Sequence, residues 1–183
     1  MTCFKYIPIP AFLLVGIAGA PDKVNQNALI VQDFQKRVAD YVTVHKKARG
    51  EIHGLKPTPS PEAITHYEHQ LAHRIRELRG DAKQGAIFTP GISGEFRRLI
   101  AMSMQGSGAA RVRQSLRHEP PPPRVSVNSA YPAGAPLPTT PPSFLLNLPQ
   151  LPPEVEYRVV DHDLLLRDID ANLIVDLIRN AVP

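Results

Sequence analysis

Twelve of the chain's twenty prolines fall between Pro120 and Pro153. Proline carries no amide hydrogen and fixes its own φ, so neither a long helix nor a central strand can run through such a stretch. The 183 residues are therefore divided into two parts that must find their regular structure separately. "PPPPRVSVNSAYPAGAPLPTTPPSFLLNLPQLPP" reads as an extended belt of polyproline character, with one turn of helix at "PPSFLLNL". Its apolar residues (Val125, Val127, Tyr131, Leu137, Phe144, Leu145, Leu146, Leu148 and Leu151) are too many for a free linker. The expectation is a belt over residues 119–153 that lies against helices.

Ahead of the belt the spacing is helical. Val31, Phe34, Val38, Tyr41, His45 and Ala48 recur every three or four residues and form one stripe on a helix reaching from Asp22 to about Arg49, with Gly50 as its stop. Lys46, Lys47 and Arg49 then sit where cations favour the helix dipole. Ser60, Pro61 and Glu62 supply a cap, a first-turn proline and a first-turn acid for a second helix. Its stripe is Ile64, Tyr67, Leu71, Ile75 and Leu78, with Gly80 tolerated inside it and Gly85 ending it. Thr89 and Pro90 repeat the device for a third helix, with Ile92, Phe96, Leu99 and Ile100 inward and a stop near Gly106. A short fourth helix is expected over 109–118, where Val112 and Leu116 alone face inward.

After the belt, Val155, Tyr157 and Val159 alternate, the chain turns at Asp161 and His162, and Leu164 and Leu166 resume the alternation. "DIDAN" offers a second turn and "LIVDLI" a third β-rich run, with a short helix from Asp170 to Asn180 as the competing reading. The fold class expected is α+β: a bundle of three to four helices (22–118), the proline belt (119–153) and a three-stranded meander (154–183).

The first residues, "MTCFKYIPIPAFLLVGIAGA", carry an early lysine, a short apolar run and then small residues, which is the order of a secretory signal. The run is too short to span a bilayer. Gly16 and Ala18 place the cleavage after Ala18, giving a signal peptide over 1–18 and a single mature domain over 19–183, periplasmic or secreted and without a transmembrane segment. Cys3 is the sole cysteine, so disulfides and thiol catalysis are excluded from that mature chain.

The segments "AKQGAIFTP", "FRRLI", "VNSAYPAGAPLPTTPP", "LPQLPPEVEYRVV" and "LLLRDIDANLIVDLI" together resemble a family of exported bacterial proteins to which no function is attached. The resemblance runs from about Phe34 to the C-terminus. It implies export and one domain, and transfers no catalytic or binding residue.

Chemistry-bearing residues are few. In "HYEHQLAHRIRELR", His66, His69 and His73 fall within roughly 60° of one another on a helix turning about 100° per residue. Glu62 and Glu77 extend the line by a turn at each end, opposite the apolar stripe. Such a polar line faces water by default. Its functional alternative is divalent-metal capture, His69 and His73 chelating at i and i+4 with His66 as a third ligand, or pH sensing through repulsion between protonated imidazoles. No other cofactor is indicated.

Hydrolase and phosphate-binding patterns are missing: "GISGEF" lacks G-x-S-x-G spacing, "QGSGAAR" lacks the lysine of a phosphate-binding loop, and H-E-x-x-H does not occur. Asp161, His162 and Asp163 read as turn residues, and Glu154, Asp168, Asp170 and Asp176 as turn and rim residues. A net charge of +4 and a pI near 9.4 raise nucleic acid as a partner, through Arg74, Arg76, Arg79, Arg97, Arg98, Arg111, Arg113 and Arg117. Export, scarce aromatics and the interleaving of these arginines with acids exclude it in favour of an anionic envelope surface or another envelope protein. The leading expectation is a non-enzymatic exported protein of the cell envelope that acts as an interaction or binding module. A periplasmic metal-binding or sensing protein is the alternative, and an enzyme of unrecognised type the second.

Overall fold

A computed structural model describes residues 25–105, 109, 110, 114 and 124–183. The expected signal peptide and the four prolines from Pro120 lie outside these residues, as does most of the expected fourth helix, of which Ala109, Ala110 and Gln114 are described and helical. The fold is α+β. Helices α1 (Gln26–Gly50), α2 (Pro61–Arg79) and α3 (Pro90–Ser103) precede a one-turn helix α4 (Pro142–Leu145) and strands β1 (Val155–Val160), β2 (Asp163–Asp168) and β3 (Leu173–Ile178). No helix among the described residues is long and apolar enough to cross a membrane.

The caps follow the local chemistry. Asn25 caps α1 by accepting from Asn27 N, and Ser60 caps α2 by accepting from Ala63 N at 3.2 Å. The second helix ends at Arg79, earlier than the sequence reading placed it, because Gly80 takes a positive φ of 58° and caps it instead of continuing it. Ile64, expected on the inward stripe of α2, is 39% exposed, and Ala72 is buried in addition to Leu71 and Ile75.

The three strands form an antiparallel sheet in the order β1-β2-β3, so the "LIVDLI" run is a strand and the competing helix is not formed. One face of the sheet packs on the helices. Phe34, Phe88 and Phe96 meet ring to ring, and Phe96 meets Tyr157 of β1 edge-on at 5.9 Å, which joins the two layers into one core.

The belt packs elsewhere than expected. Its first half covers the other face of the sheet: Val125 and Tyr131, with Val127, Ala135 and Leu137, pack on Val160, Leu165, Ile174 and Leu177. It also runs along both edges. Asn128 N donates to Ile174 O and Tyr131 N to Asn172 O beside β3, while Thr140 Oγ1 donates to Tyr157 O at 2.6 Å beside β1. Among the belt's described residues only the later part reaches the main core, through Phe144 and Leu148. The reason lies in the strands themselves, which are apolar on both faces and so need a second cover.

A register shift between Leu166 and Arg167 marks a bulge opposite, where Val175 is the extra residue of β3. The bulge turns Asp176 toward the helical layer, the side that also receives Val175.

Candidate functional site

The helix-α2 histidines lie where their spacing places them. His66, His69 and His73 are exposed, the His73 side chain retaining 73% of its accessibility. Immediately after α1 the chain turns back across α2, and Glu51, Ile52 and His53 join His66, His69, Gln70, His73 and Arg74 around an open depression of about 560 Å³. Four of the chain's seven histidines therefore border one depression. His53 was not singled out from the sequence, because it lies outside the helical period and only the reversal of the chain brings it alongside.

The acids of this face are already engaged. Arg74 binds both Glu51 and Glu77, and Glu62 accepts from Ser60 Oγ at 2.8 Å. The hydrogen bonds from Arg74 and Ser60 hold the Glu77 and Glu62 carboxyls below their usual range. Glu77 Oε1 stands 3.7 Å from His73 Nδ1. The free donors are therefore imidazole nitrogens. Two imidazoles one helical turn apart can grip a single divalent ion, but among the described residues no three His, Cys, Asp or Glu side chains are already placed to hold one.

A second group of polar side chains is buried. Tyr41 and His45, one turn apart on α1, both bond Asp168 Oδ2 at 2.6 Å, while Asp168 Oδ1 accepts from Ala171 N at 2.8 Å. His45 and Asp168 are each 0% exposed. Burial, then the Asp168 charge and hydrogen bond, push the Tyr41 hydroxyl well above its ordinary pKa, so it remains a donor. The sequence reading put Asp168 and Asp176 at a rim; both are wholly buried. Asp176 accepts four backbone N–H groups, from Gly85 and Leu177 on Oδ1 and from Ile87 and Phe88 on Oδ2. Asp161 and His162 do form the β1–β2 turn, where Asp161 takes a φ of 56° and His162 Nδ1 lies 2.9 Å from Val182 O.

The arginines that the sequence offers as nucleic-acid contacts are largely bound within the molecule. Arg76 and Arg79 reach the Asn128 backbone and side chain, Arg97 reaches Arg179 O, and Arg98 pairs with Glu95. Arg111, Arg113 and Arg117 lie outside the described residues. No family model, curated protein or solved structure matches the chain.

Proposed function

We propose that the protein is an exported binding module of the cell envelope, that its ligand-accepting surface is the histidine face of α2, and that the ligand is a divalent transition-metal ion. The observation that carries this reading is the gathering of His53, His66, His69 and His73 around one open depression. Imidazole suits Zn²⁺, Ni²⁺ and Cu²⁺. His69 and His73 supply the chelating pair, and His66 or His53 closes on the same ion by side-chain rotation. Ligands that must rotate into place and lack supporting partners bind weakly and with little selectivity.

Export rests on the residue order of the N-terminal segment and on the resemblance to exported bacterial proteins. The non-enzymatic part rests on the lack of the standard catalytic motifs in the sequence. Calorimetric titration of the protein with each of the three metals tests the assignment. Binding heats are expected from the wild type and are expected to vanish in the His69→Ala, His73→Ala double variant. Equal heats from both proteins, or none from the wild type, would sink it.

A further inference from the structure

The junction between α1 and the β2–β3 turn holds more ionisable groups than packing requires. His45 Nδ1 faces Asp168, and its other nitrogen, Nε2, has no hydrogen-bond partner among the described residues and stands 3.7 Å from Asp170 Oδ2. Glu154, just before β1, brings a third carboxylate; its Oε1 lies 3.2 Å from Lys46 Nζ, and its Oε2 is buried without a hydrogen bond among the described residues. Arg49 Nη1 lies 3.3 Å from Asp170. From α2, the half-buried Tyr67 feels the charges of Arg49, Asp170 and Asp168, and Arg79 lies over the Tyr41 ring at 5.1 Å.

We propose that His45 is a proton-operated clasp: as the imidazolium it ties Asp168 to Asp170 and holds the β2–β3 turn against α1, and as the neutral ring it lets the Asp170 side go. With Nδ1–H committed to Asp168, the neutral ring presents a lone pair at Nε2 to the Asp170 carboxylate, which repels it. The protonated ring presents an N–H instead. Around it, the carboxylates of Asp168, Asp170 and Glu154 then face His45, Lys46 and Arg49, with the Arg79 charge also acting on Asp168, and loss of the proton removes one positive charge from the cluster. Burial alone pushes the imidazole pKa down, but the Asp168 hydrogen bond and the charges of Asp168, Asp170 and Glu154 outweigh it, and the net displacement is upward from 6.5.

The direction of the pH effect follows. A group whose pKa is raised on folding stabilises the fold fully below its unfolded value and loses that contribution as the pH climbs through the folded value. The clasp is therefore shut below the unfolded value of the imidazole and opens as the pH rises through its raised folded value. Asp170 is partly exposed, its side chain retaining 39% of its accessibility, so Asp170→Asn removes the charge without opening the core.

Ring-proton NMR titration of His45 in wild type and Asp170→Asn, together with amide exchange at Ala171, tests the clasp. The expected result is a His45 midpoint above 6.5 in the wild type and a lower one in the variant. Protection of the Ala171 amide, corrected for the intrinsic pH dependence of exchange, should drop through that midpoint. The drop should be roughly tenfold for each unit separating the folded and unfolded midpoints. A histidine with only a packing role would leave Ala171 protection flat. A midpoint at or below 6.5, a midpoint unmoved by Asp170→Asn, or flat protection would each overturn the proposal.

Discussion

Asp168 and Asp176 stand on neighbouring strands, both wholly buried and both turned toward the helices, yet they are held in opposite ways. Asp176 is ringed by backbone amides from the 85–88 loop and from its own strand. Asp168 takes one backbone amide, and its other oxygen is held by the Tyr41 hydroxyl and the His45 ring. Backbone donors neither titrate in the physiological range nor disappear on substitution of their residues, so the first tie is permanent. Side-chain donors make the second conditional on protonation. One carboxylate fastens a loop to the sheet; the other fastens a helix to the sheet under the control of a proton.

The sharpest way to break the comparison is to remove the permanent tie. Asp176→Ala leaves the amides of Gly85, Ile87, Phe88 and Leu177 without their acceptor in a buried site. A loss of about 3–5 kcal/mol is expected in urea unfolding. Asp176→Asn should be nearly as damaging, because one amide pair would then face an NH₂ group. If Asn matched the wild type, neither the charge nor the second acceptor oxygen would be needed to hold the loop, and the contrast with Asp168 would collapse.

Tyr41→Phe comes next. It deletes one hydrogen bond to a charged acceptor while leaving the ring packed and His45 in place, for an expected loss of about 1.5–3 kcal/mol. The variant should still show the His45 titration, since Nδ1 keeps Asp168. Loss of that titration would mean that Tyr41, and not the imidazole, sets the state of the junction.

Much of this architecture is legible in the residues. Helical spacing, the Ser60–Pro61 and Thr89–Pro90 devices and the alternation in the tail give the three long helices and the first two strands, while "LIVDLI" leaves strand and helix both open. Tyr41 and His45 even fall on the apolar stripe of α1, and Asp168 falls in phase with the inward Leu164 and Leu166. Buried polar groups must find partners, so the stripe implies a partner for His45 but does not locate it, because His45 and Asp168 are 123 residues apart. Asp176 was hidden by the bulge: strict alternation would place it with Ile174 and Ile178, away from Val175. The belt's resting place is not legible in the belt itself: "LLL" and "LIVDLI" are apolar on both faces, and the second face of the assembled sheet is what calls for a cover. His53 joins the histidine face through a chain reversal that periodicity does not report.

The smallest effect on stability is expected on the α2 histidines, and it extends the comparison from two aspartates to two kinds of histidine. His45 is bonded in the interior, whereas the side chains of His66, His69 and His73 face water. Replacing His69 and His73 with Ala removes no packed atoms. Among the described residues their one intramolecular partner is Glu77, opposite His73 at 3.7 Å, and exposed pairs of this kind contribute little. Alanine also has a higher helix propensity than histidine. The double variant should therefore unfold within about 0.5 kcal/mol of the wild type, or slightly above it, in metal-free buffer. Added Zn²⁺ should raise the wild-type unfolding midpoint and leave the variant's unmoved, because a ligand that binds only the folded state stabilises it by mass action. A metal-free destabilisation beyond 1 kcal/mol on this scale would make the histidine face part of the scaffold, and would dissolve the division between imidazoles that hold the fold and imidazoles free to hold something else.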